Sequence, residues 1–539
     1  MDIRLSVPTL VEAPHLTVET RPKQVQEWLD AMPLTNVTES ARKIGDALAA
    51  VNRTKIGEDA RLKIMESYRA TILNLLPALQ QIYIGKPPPL ADKSKHAMSL
   101  SRQLLGELAN GYKLILIDIL SRRLSFGGSK HIPQVIHHAM DALSRNLVIS
   151  YESYAPTLAG IWSEMHQLYR IAAQNNVQEQ EVPDTETKES INQVYKRALL
   201  LALADPYHLM HGELATVEDY LVRFSNQAQL LPLARAENTA ALFLLQLDTD
   251  KPPKALAHCT GVTDARSDIL LNTIQLARKL HQQIIGLEKG GEAPKNFNLP
   301  EKADEQGYQN LLKRLLKHWG VAPKRVFQRM PAKESIDVLG SIRSIHKVLA
   351  DGQELVPDLL LEPEEDDTSL EVNVSPIDAS THQTYIPMIW VSVNESPGGL
   401  KLSRSADAPS HLRVGELVGI KGHENPEGKE SPEWNIAVIR WIHGDERNQI
   451  EMGAQMLSPH ATPILVRPTI TEQGMPFEYA LLLPEVPALK RPEMIVAPRG
   501  TYGENREYLL RQASELTTIR ATKLIEQTGS FDLFLFIPS

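Results

Sequence analysis

The hydrophobic period changes part-way along the chain, and that change limits the fold to a helical region followed by a β-rich one. In the first half, apolar residues recur every three or four positions. Leu62, Met65, Tyr68, Ile72, Leu75 and Leu79 make one such stripe, with a kink expected at Pro77. Val25, Trp28, Leu29 and Met32 make another after Pro22, a residue suited to a first helical turn. Asn36 stands three residues before Glu39, an N-cap arrangement ahead of Ile44, Leu48 and Val51. Helical patterns continue over 132–174 with a break at Pro156, near 190–204, near 214–228 and near 264–287. The run Ala241–Asp248 reads equally as a short buried strand or as a helix fragment. Beyond residue 385 the pattern alternates instead. Runs at 389–393, 416–420, 433–442 and 449–457 are separated by turns rich in Gly, Pro, Asp and Asn, the mark of a small antiparallel barrel. Strand-like runs resume from 465 to the end and point to a second β unit.

These patterns predict an α+β multidomain chain. An all-α interaction domain is expected over 1–290, then a linker and helix over 291–320. A β-barrel with an acidic insertion near 352–384 follows over 321–464, and a C-terminal β domain over 465–539. The 539 residues suit three to four domains of ordinary size. A repeat-like solenoid of helical hairpins is the second reading of 1–290, since no fixed repeat period stands out.

Composition removes several classes of function. The net charge of −9 gives no general attraction to nucleic acid or to anionic membrane. The single cysteine, Cys259, excludes an intrachain disulfide and suits a reducing compartment. The N-terminus lacks a signal-peptide pattern, and no apolar run reaches membrane-spanning length, so a cytoplasmic protein without membrane insertion is expected. There is no P-loop, no GxGxxG after a strand, no GxSxG and no HExxH, so neither an enzyme nor a catalytic residue is expected. His208, His211 and Glu213 have metal-like spacing, but nothing completes a ligand set, and no metal or other cofactor is expected.

One segment runs against the acidic balance. From Lys313 to Lys347 there are nine Lys or Arg residues against Glu334 and Asp337 alone, a local excess of seven positive charges. Such a run is ordinarily a solvated face. Arg325 and Arg329 differ, because they follow Pro323 in a linker entering the barrel. A guanidinium forks onto phosphate and stacks on planar rings, so two of them suit a phosphorylated aromatic ligand. Downstream, Asn394 and Ser396 offer short polar side chains, and Gly398 and Gly399 permit a close backbone approach.

Together, Arg325-x-x-x-Arg329 and Asn394-x-Ser396-x-x-Gly399 ahead of barrel strands resemble the signature of PilZ domains, bacterial receptors of cyclic di-GMP. The resemblance covers about 320–462. It implies that Arg325 and Arg329 contact phosphates and guanines, and that Asn394, Ser396 and Gly399 contact the ligand from the barrel. Lys324, Gly398 and Arg440 are lesser candidates. It further implies a second-messenger receptor that relays binding to an unidentified protein partner through the helical domain. The alternative is a scaffold whose barrel serves protein contact and binds no ligand. One departure from the pattern is the spacing of 65 residues between Arg329 and Asn394. Loop-closure cost grows only logarithmically with length, so the insertion is tolerable; it leaves open where the arginine segment sits.

Overall fold

The computed structural model describes residues 5–11, 18–121, 130–182, 188–233, 239–259, 267–290, 305–320, 328–350, 386–407, 410–422, 433–445, 447–470, 476–487 and 491–539. Lys324, Arg325, the linker over 291–304 and the acidic insertion lie outside them. The chain forms two compact units.

The first unit is built on helices α1 (Pro22–Asp30), α2 (Val37–Arg53), α3 (Glu58–Tyr83), α4 (Asp92–Ser121), α5 (Ile132–Glu152), α6 (Ile161–Gln174), α7 (Ile191–Leu203) and α8 (Glu213–Phe224). Their starts follow local chemistry. Pro22 opens α1, the Asn36 side chain accepts from the Glu39 amide, and Ser190 and Gln193 form a reciprocal capping box on α7. Helix α3 continues through Pro77, which stands on its exposed face. The predicted stripe is the buried face: Ile72 and Leu79 are fully inaccessible.

The helical region carries one addition to the expectation. Strands β1 (Gln229–Pro232), β2 (Leu242–Gln246), β3 (Lys254–Ala255) and β4 (Asp268–Asn272) make a four-stranded antiparallel sheet in the order β1-β4-β2-β3. The ambiguous run at 241–248 is therefore a strand, and the helix expected from 264 begins at α9 (Ile274–Glu288), after β4. A five-residue apolar run carries no period long enough to separate the two states; pairing of Leu244 with Leu270 decides it. Helix α10 (Glu305–Trp319) closes this unit: the Trp319 indole donates to the Leu200 carbonyl at 2.9 Å, and the Ala241 amide donates to the Gly320 carbonyl at 3.0 Å.

The second unit holds two barrels. The first contains β5 (Met330–Pro331), β6 (Ser335–Gly340), α11 (Ile342–Leu349), β7 (Met388–Ser396), β8 (Gly399–Ser405), β9 (Leu417–Gly422), β10 (Asn435–Gly444) and β11 (Gln449–Ser458). The order β7-β6-β9-β10-β11-β8 closes through β7–β8 pairing into six antiparallel strands, and β5 lies on β7. Trp390, Leu402, Val418 and Met452 fill its interior.

The second barrel is closed in the order β12 (Thr462–Pro468), β13 (Glu478–Leu483), β14 (Met494–Pro498), β17 (Phe531–Pro538), β16 (Glu515–Gln527) and β15 (Glu507–Gln512). Ile464, Tyr508 and Phe534 belong to its own core. Another cluster joins the barrels: Ile342 and Ile345 of α11 pack with Leu417 and Val438 on one side and with Leu481, Val496 and Phe531 on the other. Burying such side chains contributes about 1.5–3 kcal/mol each, so the two barrels share a core.

Candidate ligand-binding hairpin

The polar motif lies at a tight hairpin. Ser396 pairs with Gly399 across the two-residue turn Pro397–Gly398, joining β7 to β8. Proline pre-sets the backbone for the first turn position. The Ser396 hydroxyl donates to the Gly399 carbonyl at 3.2 Å, and the Met456 amide of β11 donates to the Gly398 carbonyl at 3.2 Å. Gly399 has φ 156°, and a β-carbon there would come within 2.2 Å of the Ala454 carbonyl oxygen. The close approach that Gly399 permits is thus to its own neighbouring strand.

Asn394 is half-buried, and its Oδ1 is shut away from solvent with no hydrogen-bond partner among the described residues. An orphaned buried acceptor costs about 1–3 kcal/mol.

The arginine segment reaches this hairpin directly. Strand β5 starts at Met330, one residue after Arg329, and pairs Met330 with Glu395 and Pro331 with Asn394. Arg329 is exposed and makes no ion pair among the described residues. The 65-residue spacing is therefore closed by strand pairing, and the described arginine stands beside the polar motif.

Outward-facing residues continue the surface. A β-bulge at Val393 brings Asn394 opposite Lys401, which pairs in turn with Gly453, and Gly453 with Trp441. Lys401 holds Glu451 at 2.7 Å. The Trp441 indole covers Gly453 so closely that a β-carbon there would lie 2.0 Å from its Nε1. His443, opposite Glu451, is held below its ordinary pKa chiefly by burial, with Glu451 and Asp445 opposing. Lys401 and Gln455 carry no sequence motif of their own; the alternation within β8 and β11 is the signal that places them on this face.

Arg440 occupies a second bulge, between Ile439 and Trp441. Its Nε donates to Gln455 Oε1 at 2.6 Å, and its guanidinium forks onto the Glu526 carboxylate of β16, with Nη2 to Oε2 at 2.9 Å. Arg440, a lesser candidate in the sequence, thus makes a contact between the two barrels.

His208, His211 and Glu213 form no metal site: no group of three or more ligating side chains that could hold a metal occurs among the described residues. Glu213 is instead paired with Arg314. No described helix is long and apolar enough to cross a membrane.

A closed antiparallel barrel with an NxSxxG hairpin on its rim and an arginine segment docked beside it defines the chain as a PilZ-domain protein. Comparison with known proteins agrees along the whole length. Three family models match in order: the N-terminal domain of the cyclic di-GMP receptor FimW over 23–235, its middle PilZ domain over 242–386 and 362–463, and its C-terminal β-barrel domain over 464–538. The curated cyclic di-GMP receptor FimW of Pseudomonas aeruginosa is 26% identical over 581 aligned positions, covering 99% of this chain and 93% of that protein. The chain belongs to the PilZ-domain family, in the three-part order of FimW.

Proposed function

We propose that this protein is a cyclic di-GMP receptor whose barrel binds the dinucleotide at the β7–β8 hairpin. The observation that carries the reading is the β5–β7 pairing of Met330 with Glu395, which sets Arg329 at the rim occupied by Asn394 and Ser396. Two phosphates and two guanines need cations that fork and stack, and donors and acceptors for the base edges. Arg325 and Arg329 fill the first role, with Lys324 adding charge. Asn394, Ser396, Gly398 and Gly399 form the polar rim that meets the base edges. The similarity to a protein named as a cyclic di-GMP receptor supports the same ligand here. The role is binding and relay rather than catalysis, in the cytoplasm, with the helical domain as the surface for a protein partner.

Titration calorimetry of the purified chain with cyclic di-GMP tests the reading. Saturable binding in the micromolar range or tighter is expected, and Arg325→Ala weakens it at least about tenfold, as loss of a charged hydrogen bond requires. No saturation by the wild type would leave the scaffold alternative standing.

A further inference from the structure

The Arg440–Glu526 contact joins the ligand hairpin to the C-terminal barrel. Gln455, which accepts from Arg440 Nε at 2.6 Å, pairs directly with Gly399 of the motif. The next residue, Met456, donates its amide to Gly398. Arg440 therefore stands one side chain away from the turn. Its remaining nitrogens are held by Glu526, a residue of the other barrel. The side chains are 33% and 22% exposed, so the pair is reachable from solvent rather than sealed.

We propose that Glu526 sets the affinity of the PilZ site: it occupies Arg440 when the site is empty, and a phosphate of the incoming dinucleotide takes Arg440 from it. This rests on the receptor reading above. A phosphate offers the guanidinium the same two-oxygen fork as a carboxylate. Lys401, on the same face, is held by Glu451 of its own barrel at 2.7 Å, whereas the carboxylate that holds Arg440 comes from the other barrel. Giving up Glu526 leaves the barrels joined through the shared core and through the Ser530 hydroxyl, which donates to the Gly415 carbonyl at 2.9 Å. The exchange is local, and by linkage the ligand weakens the Arg440–Glu526 pair by the same factor that the pair weakens the ligand, which frees the end of β16.

Glu526→Gln removes the charge and keeps the shape. Calorimetry with cyclic di-GMP should show it binding about fivefold or more tighter than wild type, with the gain lost in Arg440→Ala/Glu526→Gln. In the wild-type chain, amide exchange over 524–528 should speed up on saturation with ligand. That second measurement needs no variant. Binding by the variant alone supports the proposal in its strongest form. Equal affinity of Glu526→Gln and wild type, with unchanged exchange over 524–528, overturns it and leaves the receptor reading intact. Absence of binding by both proteins overturns the receptor reading, and the proposal with it.

Discussion

The carbonyl oxygen of Ala454 lies 2.2 Å from where a β-carbon on residue 399 would sit. Strands β8 and β11 meet at that point, and Gln455 Cα would be 3.1 Å from the same atom. Both neighbours are backbone, so neither can swing aside.

Gly399→Ala is therefore expected to lower the stability of the barrel unit by about 2–4 kcal/mol, combining the clash with a strained backbone angle. Denaturant unfolding of the two proteins checks it. Unchanged stability with binding lost would mean that the glycine serves the ligand alone.

In the helical unit, Lys113 of α4 and Glu164 of α6 form an ion pair of 2.7 Å with side chains 5% and 9% exposed. The Ser6 amide donates to the other Glu164 oxygen at 2.7 Å. Removing one charge strands its partner in a low-dielectric setting. Lys113→Met should cost about 3–5 kcal/mol, and Lys113→Met/Glu164→Gln should recover much of that loss. A double variant no more stable than the single one would contradict this.

Glu152 at the end of α5 is pushed up to about 8 from its usual 4.5, chiefly by burial, with Glu218 adding to the shift and Gln80 opposing it. The folded chain holds this proton more tightly than the unfolded one. The stability it confers is fully present below about pH 4.5 and is lost as pH rises through about 8. Glu152→Gln should melt close to wild type at pH 5 and higher than wild type at pH 8.5, by an amount on the order of a few kcal/mol. Equal melting at both values would show that the carboxyl ionises freely in the fold.

Much of this architecture is written in local pattern. The stripe from Leu62 to Leu79, the Asn36 cap and the alternation in β7 to β11 each declare an element, because burial selects side chains at the element's own period. Strands β2 and β4 were illegible: Leu242–Gln246 is too short to show a period, and its partner lies more than twenty residues away. The polar motif was legible as a turn because Ser, Pro and Gly have few other uses in sequence. The docking of the arginine segment was not, since it depends on two residues of β5 finding β7 across the insertion. The Arg440–Glu526 fork was equally hidden, as a contact between residues 86 apart has no local trace.

Arg329 offers the clearest separation of the receptor from the scaffold. It is exposed, precedes β5, and takes no part in the barrel's core. Arg329→Ala should leave melting of the ligand-free protein within about 0.5 kcal/mol of wild type, as for other surface changes. Cyclic di-GMP binding should weaken by about ten- to a hundredfold, because a hydrogen bond to a charged group contributes about 1.5–3 kcal/mol and each 1.4 kcal/mol is tenfold. Arg329→Lys should restore only part of this, since an ammonium neither forks onto phosphate nor stacks on guanine. Ser396→Ala should cost less, about 0.5–1.5 kcal/mol, because a neutral hydroxyl is lost and its bond to Gly399 lies within the hairpin. Wild-type affinity should fall as salt is raised, while the alanine variant falls less steeply, having lost one screened charge pair. Calorimetry at two salt concentrations on the four proteins measures all of this. A large loss of ligand-free stability in Arg329→Ala would instead make the arginine a structural strut and favour the scaffold.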